Sequence, residues 1–597
     1  MTARGYWERT RGARLARRRA IAGAAALATG AAALSLVGCG NDARKVTSDI
    51  DIAGGLGVPK DTSSIAVQGG TYKSVTNQDV QTFDVGETSN FTAYGAAPFV
   101  YSKIVKSKSV PTQPVGKEID GDLAEKWEIT SDGTQWTFRI RDAKMSPVAP
   151  LNGRAVDIED VRLSWERFAA KNPRRNRYDM IDKFETPDSR TIVFKLKFPY
   201  GPFGKILADN SAFWVMPKEV AQGKVDYRST AAGMGPYMLE EYKPSSHVYW
   251  KRNPNYFMQG LPYVDRWEFP IVTEYAQRLA QFKAGNIYAL TPNTADIISL
   301  RQDQPNAVPY QPDFTVGWPV IFFGRTDPVF HGEKGDVRIR RALSMAIDRD
   351  LFIDTFYNVS QLQKAGFANI ETRWHNMLSC GWPYWLNPQS KEMGWPDKAP
   401  GLWYKYDVKE ARALLAAAGY PNGIDMDVHY ATIFLAGATF RNQVEATMGF
   451  WKEAGFRITH KPEDFQTEFL PRTVEKGDMT GIAVSPSGEY NEVDTLLTSQ
   501  WRLVEGAPND RNPPGYNNPE LNAMIDKQRR TLDENERTKI LHDIQIWLSD
   551  RLWGIPWGGQ ATSGFTFYYP WIQNVQVFRG SPDSITRVWI DQTKLPS

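Results

Sequence analysis

Cysteine is almost missing from this chain: Cys39 and Cys380 are the two thiols in 597 residues. A disulfide framework is therefore excluded, and stability has to come from burial of apolar surface. Histidine is nearly as scarce. His247, His331, His375, His429, His460 and His542 are scattered, form no His-Glu-x-x-His pair and have no cysteine cluster beside them, so no zinc site is expected. Phosphate-cradling loops are also lacking. No Gly-x-x-x-x-Gly-Lys-Ser/Thr occurs, and Gly233-Met234-Gly235-Pro236 lacks the third glycine of a dinucleotide loop. No Gly-x-Ser-x-Gly marks a nucleophile elbow. The residues thus suggest no catalytic residues, no cofactor and no metal, and any ATP hydrolysis belongs to another polypeptide. Acidic pairs such as Glu489 with Glu492 have the chemistry for glycosidase-type acid–base work, but such pairs are common in solvated loops.

An excess of positive charge is absent once the first 38 residues are set aside. They carry seven arginines against one glutamate, which turns a formal +3 for the whole chain into −3 for the remainder. A nucleic-acid partner is not expected for such a surface. What the chain has in quantity is apolar and aromatic material, 42% hydrophobic residues with 20 Trp, 25 Tyr and 29 Phe. That composition belongs to a folded protein of two or three structural domains.

The arginines at positions 4, 9, 11, 14 and 17–19 precede an uncharged, alanine-rich run over 20–37. This is the layout of a signal sequence, and the run is too short and too rich in small residues to read as a membrane span. Arg18-Arg19 fits the twin-arginine pattern loosely, and the general secretion route stays open beside it. Leu36-Val37-Gly38-Cys39 resembles the lipobox of bacterial lipoproteins, which implies a lipid on Cys39 and cleavage before it. The Gly-, Asp- and Ser-rich stretch that follows suits a tether to a membrane.

Beyond the tether, strand-like runs at 136–140 and 191–196 alternate with helical patterns at 157–168, 337–348, 408–418, 440–454 and 518–549, a mixed α/β chain. Asp157 is placed to cap the helix after it, Asp132-Gly133 suits a hairpin, and Gly419-Tyr420-Pro421-Asn422-Gly423 ends an alanine-rich helix. Trp127, Trp136 and Phe138 are expected in a core.

Several motifs then recur in a fixed order. The first are Gly69-Gly70-Thr71-Tyr72, Thr82-Phe83-Asp84, Asp122-Leu123-Ala124-Glu125-Lys126-Trp127-Glu128 and Asn152-Gly153-Arg154-Ala155-Val156-Asp157. Gly233-Met234-Gly235-Pro236-Tyr237, Arg252-Asn253-Pro254-Asn255-Tyr256-Phe257, Arg340-Arg341-Ala342-Leu343 and Tyr516-Asn517-Asn518-Pro519 follow. Together they resemble the large extracellular solute-binding proteins, family 5, of peptide and nickel importers. The resemblance implies an α/β, two-lobed periplasmic-binding-protein fold of the large (class C, or type II) kind with an extra inserted domain. The expected boundaries are signal peptide 1–38, lipoprotein tether 39–65, lobe I 66–97, inserted domain 98–198, lobe I again 199–315, lobe II 316–552 and the lobe I return 553–597.

The same resemblance implies capture of a small polar solute by lobe closure, an oligopeptide first, with nickel chelates, sugars and opines as other cargoes. Expected partners are an ABC permease and its ATPase, plus the membrane through lipid on Cys39, for a monomer held in the periplasm or outside the cytoplasm. A secreted hydrolase or a sensory lipoprotein are the readings of a different class. Glu489-Tyr490-Asn491-Glu492 resembles the Asp-Tyr-Asn-Glu stretch of oligopeptide binders, in which the leading acid pairs with the peptide ammonium. Arg373 is the candidate carboxylate partner. Trp318, Phe322 and Trp374, with Trp382, Tyr384 and Trp385, are candidate cavity walls, and Asn90 and Phe91 sit on a loop expected to approach ligand.

Overall fold

The computed structural model describes residues 52–596 apart from residues 54, 89, 113–117, 212, 318, 433–436, 487–491, 503–514 and 578–581. Cys39 and the expected signal segment lie outside the described residues. The stretch expected as a tether is in part pinned down. Thr62 donates its amide to Asn574 Oδ1 at 2.7 Å and accepts the Trp589 indole N–H at 2.9 Å. The Leu56–Gly57 strand lies so close to the body that a side chain at Gly57 would meet the Tyr310 ring at 2.5 Å.

The first lobe starts with β1 (Thr71–Lys73) and α1 (Phe91–Val100). An antiparallel unit follows, made of β2 (Ala124–Ile129), β3 (Gln135–Ile140), α2 (Ile158–Lys171), β4 (Ile181–Glu185) and β5 (Thr191–Leu196), in the order β2-β3-β5-β4. Its hairpin turns at Asp132-Gly133, where Gly133 takes the left-handed φ of +68° that a side chain resists. Asp157 caps α2 by accepting from the amides of Glu159 and Asp160, while Asp160 reaches back to the Asp157 amide, a box worth about 1 kcal/mol. Trp165 on the buried face of α2 meets Tyr178, Phe194 and Phe213 edge-on at 5.3–5.4 Å, so aromatic rings fill this core. Trp136 and Phe138 are buried there too, and Trp127 is partly so.

The chain rejoins the first sheet through β6 (Tyr237–Lys243), β7 (His247–Arg252) and β8 (Arg266–Pro270); β8 runs parallel to β1 with Trp267 opposite Tyr72. Two short strands follow, β9 (Ala289–Leu290) and β10 (Val308–Tyr310).

The second lobe is built on β11 (Pro319–Phe323), α3 (Val337–Met345), α4 (Arg349–Tyr357), β12 (Thr372–Arg373), α5 (Val408–Ala417), β13 (Ile424–Ala431), α6 (Gly437–Glu453), β14 (Phe456–Glu463) and β15 (Ile482–Pro486). Helices α7 (Val493–Gln500), α8 (Pro519–Arg530) and α9 (Glu534–Arg551) complete it. The sheet order is β11-β15-β13-β14, with β13 parallel to both neighbours and β11 antiparallel to β15. The chain then returns through β16 (Gln560–Ala561) to β17 (Thr566–Tyr568), which sits between β9 and β10 of the first lobe.

One helical pattern breaks in two where a single helix was expected, and another ends early. The 518–549 pattern stops at Thr531, which is extended, and Asp533 opens α9 by accepting from the Glu536 amide at 2.8 Å. The 337–348 pattern is helical only to Met345, and Asp348 at its expected end caps the next helix, α4. In both cases an aspartate satisfies the free amides of a new helix start better than continuing the old one does.

Candidate functional site

The carboxyl ends of β13, β14 and β15 lie at one edge of the second-lobe sheet, and the amino end of β11 joins them because Pro319 is the register partner of Pro486. In open sheets with parallel strands this is the edge where ligands bind. The segments 318, 433–436 and 487–491, which continue from these strand ends, are outside the described residues, and with them Trp318, Glu489, Tyr490 and Asn491.

A charged cluster underlies that edge. Glu463, the last residue of β14, is buried and faces His429 Nδ1 at 2.5 Å, while His429 Nε2 lies 3.1 Å from the Thr480 carbonyl. Both ring nitrogens of His429 therefore meet acceptors. Thr473 donates its hydroxyl to the second carboxylate oxygen at 2.6 Å, and Arg472 pairs with the first. Burial alone would raise the Glu463 carboxyl, but the hydrogen bonds from His429 and Thr473 and the charges of His429 and Arg472 hold it below its ordinary range. Arg472 and Thr473 belong to Phe465–Val474, a wide π-type helical segment that packs Phe469 and Val474 over Phe322. The Arg472 side chain is 43% exposed, so a guanidinium braced from beneath by a buried carboxylate remains open to solvent. Such a group can hold an anionic end of a solute.

Glu492 caps α7 and is buried against Arg537 at 2.5 Å. Arg537 also donates to Gln528 Oε1 at 3.1 Å and the Tyr384 hydroxyl at 3.3 Å. Glu492 is thus committed to a structural ion pair, which removes the Glu489–Glu492 pair as an acid–base couple.

The chain passes between the two lobes near Thr315 and again near Gln560, where the two segments lie side by side. Gln560 accepts the Thr315 amide at 3.0 Å and donates to the Thr315 hydroxyl at 2.8 Å and the Gly317 carbonyl at 3.2 Å. Ser379 donates to the Thr315 carbonyl at 2.6 Å. Arg373 is the strand partner of Gln560, and its guanidinium lies 4.3 Å over the Phe314 ring and 5.3 Å from that of Trp385.

A family model, bacterial extracellular solute-binding proteins, family 5 Middle, matches residues 118–505. The chain belongs to this family. Among similar proteins, the dipeptide-binding protein of Escherichia coli K12 is 23% identical over 530 residues, covering 83% of this chain and 90% of that protein. The heme-binding protein A of Haemophilus influenzae is 24% identical over 492 residues, covering 78% and 82%. The periplasmic binding protein DppA of Helicobacter pylori, solved with the peptide STSA, superposes with a TM-score of 0.70 at 20% identity, over 88% of this chain and 99% of that one. The two-lobed solute-binding fold follows, with strand crossings of the kind made here at Thr315 and Gln560.

Within this family member the expected site residues fall in different settings. Arg373 lies at the lobe crossing, partly exposed, with Glu371 at 3.2 Å as a loosely held, mostly exposed partner. Trp374 is buried, donates its indole N–H to Asp350 at 2.9 Å and stands edge-on to Trp395. Phe322 is buried under Phe469 and Val474 on one face of the second-lobe sheet. Trp382 and Tyr384 are buried, and Trp385 is partly so. Asn90 caps α1 by accepting from the amides of Thr92 and Ala93, and Phe91 beside it is 68% exposed. Phe91 and Gly95 share a face of α1, four residues apart, and nothing lies within 4 Å of where a Gly95 side chain would start. No hydrogen bond, ion pair or ring contact joins Asn90 or Phe91 to Arg373, Trp374 or Phe322 among the described residues. Arg472 and Gln560 escaped the sequence reading, since neither stands in a motif that marks it.

Proposed function

We propose that this protein captures a short peptide between its lobes and delivers it to the permease of an ATP-driven importer, without turning it over. The observation that carries this reading is the solvent-open Arg472 guanidinium, braced by Glu463 at the ligand-facing edge of the second-lobe sheet. The half-exposed Arg472 guanidinium and Arg373 at the crossing suit a carboxylate end. Glu489, on the segment after β15, suits an ammonium end. A zwitterion with an extended backbone satisfies both. Lipid attachment at Cys39, reached by the twin-arginine or the general route, would keep this capture at the cell envelope, and the chain acts as a monomer in this reading.

Native mass spectrometry of the protein purified gently from rich medium tests it. A ladder of peptide masses, lost in Glu489→Ala, is the expected result. A single nonpeptide mass would instead favour the second reading, to which the heme-binding relative lends weight: the same transport role with another cargo.

A further inference from the structure

A polar cluster spans the two lobes on the side of the β2–β5 unit. Asp179, just before β4, faces Arg529 of α8, whose Nη1 lies 3.1 Å from Asp179 Oδ2 and whose Nη2 bonds Oδ1. Arg502 approaches the same carboxylate at 3.5 Å. Both ion-pair partners of Asp179 thus come from the second lobe. Tyr200, just after β5, donates its hydroxyl to Asp494 Oδ2 at 2.7 Å across the same boundary. The Arg529 guanidinium lies 5.1 Å over the Phe198 ring and that of Arg530 4.9 Å over it. At the rim a side chain added at Gly133 or Gly201 of the first lobe would meet Leu532 of the second at 3.4 Å.

The second-lobe half is complete without the first. Asp494 is held by Gln528 Nε2 at 2.6 Å and Arg529 Nε at 3.1 Å, and Gln528 in turn accepts from Arg537, which pairs with Glu492. What the first lobe adds is the Asp179 carboxylate on the outer edge of a preset guanidinium and the Tyr200 hydroxyl on a preset carboxylate. Asp494 and Glu492 open α7.

We propose that Asp179 and Tyr200 are positioning residues for solute capture: with Arg529 and Asp494 they form a latch that holds the lobes closed and ties closure to the start of α7. The latch rests on the two-lobed fold alone, and its link to cargo rests on the solute-capture reading. Burial opposes charge on Asp179, yet the Arg529 and Arg502 guanidinium groups hold its carboxyl below the usual range, which agrees with a pair that is formed and desolvated.

Small-angle scattering of the protein without added solute, at low and at 1 M salt, compares wild type with Asp179→Asn/Tyr200→Phe and with Asp179→Glu. Both changes in the double variant leave the Asp494–Arg529–Gln528 set intact, so an unchanged melting curve certifies the fold. The expected result is a larger radius of gyration for the double variant, a closed-to-open ratio lower by about tenfold, as for loss of one buried charge-assisted contact. Asp179→Glu is expected to restore closure, and salt to open wild type more than the double variant. Superimposable profiles for wild type and double variant at both salts would overturn the latch. A second arm offers a tryptic digest of casein and follows peptide retention by native mass spectrometry, with faster loss expected from the double variant. Retention by neither protein would remove the peptide reading, and the scattering comparison would still decide the latch.

Discussion

Gln560 and Thr315 lie 245 positions apart in the chain, yet the carboxamide of one is bonded to both the amide and the hydroxyl of the other. The two crossings between the lobes are therefore tied side by side through one buried side chain, and a bend in one crossing is transmitted to its neighbour.

Gln560→Ala leaves the Thr315 amide without its partner in a partly buried setting. The expected cost is about 2 kcal/mol in denaturant unfolding, with Gln560→Glu, which keeps the acceptor, intermediate. Equal stability of all three proteins would mean that water replaces the carboxamide without loss and that the crossings are not tied by it.

Glu463→Gln probes the cluster beneath the strand edge. The Glu463 carboxyl titrates below its ordinary value of 4.5 in the folded protein. Its contribution to stability is therefore present above that value and lost as pH falls through the lower, folded one. Urea unfolding at neutral pH is expected to show a loss of about 3 kcal/mol for the variant. Below the folded value the two proteins should converge, since wild type is then protonated as well. A constant gap across the acid range would assign the loss to shape rather than charge.

Arg373→Ala separates binding from folding at the crossing. Its pair with Glu371 is largely solvated and contributes little, under about 1 kcal/mol, so the melting temperature should hardly move. Peptides with a free carboxyl end should bind about tenfold or more weakly, and amidated peptides should not change. Equal weakening of both peptide forms would place Arg373 in packing against Phe314 and Trp385.

Trp374→Phe makes the opposite test. The change removes the hydrogen bond to Asp350 and part of the contact with Trp395, at about 1–2 kcal/mol, with cargo affinity unchanged. Loss of cargo at undiminished stability would instead put Trp374 on the cavity wall.

Local features of this molecule were legible in advance because neighbouring residues decide them. Asp157 caps the helix it precedes, and Gly133 turns the hairpin it was expected to turn. The break between α8 and α9 was also written locally, in Asp533 followed by Glu536, but the apolar periodicity running through both helices hid it. The family motifs pointed to the two-lobed class, since their turns and core aromatics are what such sheets need. Trp374 shows the limit of residue type as a guide: an indole suits a cavity wall and a core equally, and the nearby Asp350 gives its N–H a core partner.

By itself, then, the sequence determined the α/β class, the scarcity of cysteine and histidine, and the family. Each of these depends on spacing along the chain or on composition. Only the tertiary structure decided that Glu492 is tied to Arg537, that Arg472 is braced by Glu463, and that Asp179 meets Arg529 across 350 positions. A charge reads the same in sequence whether it is solvated, paired or free to bind. Its role is set by which distant residues the fold brings within about 3 Å and by how much water that approach excludes.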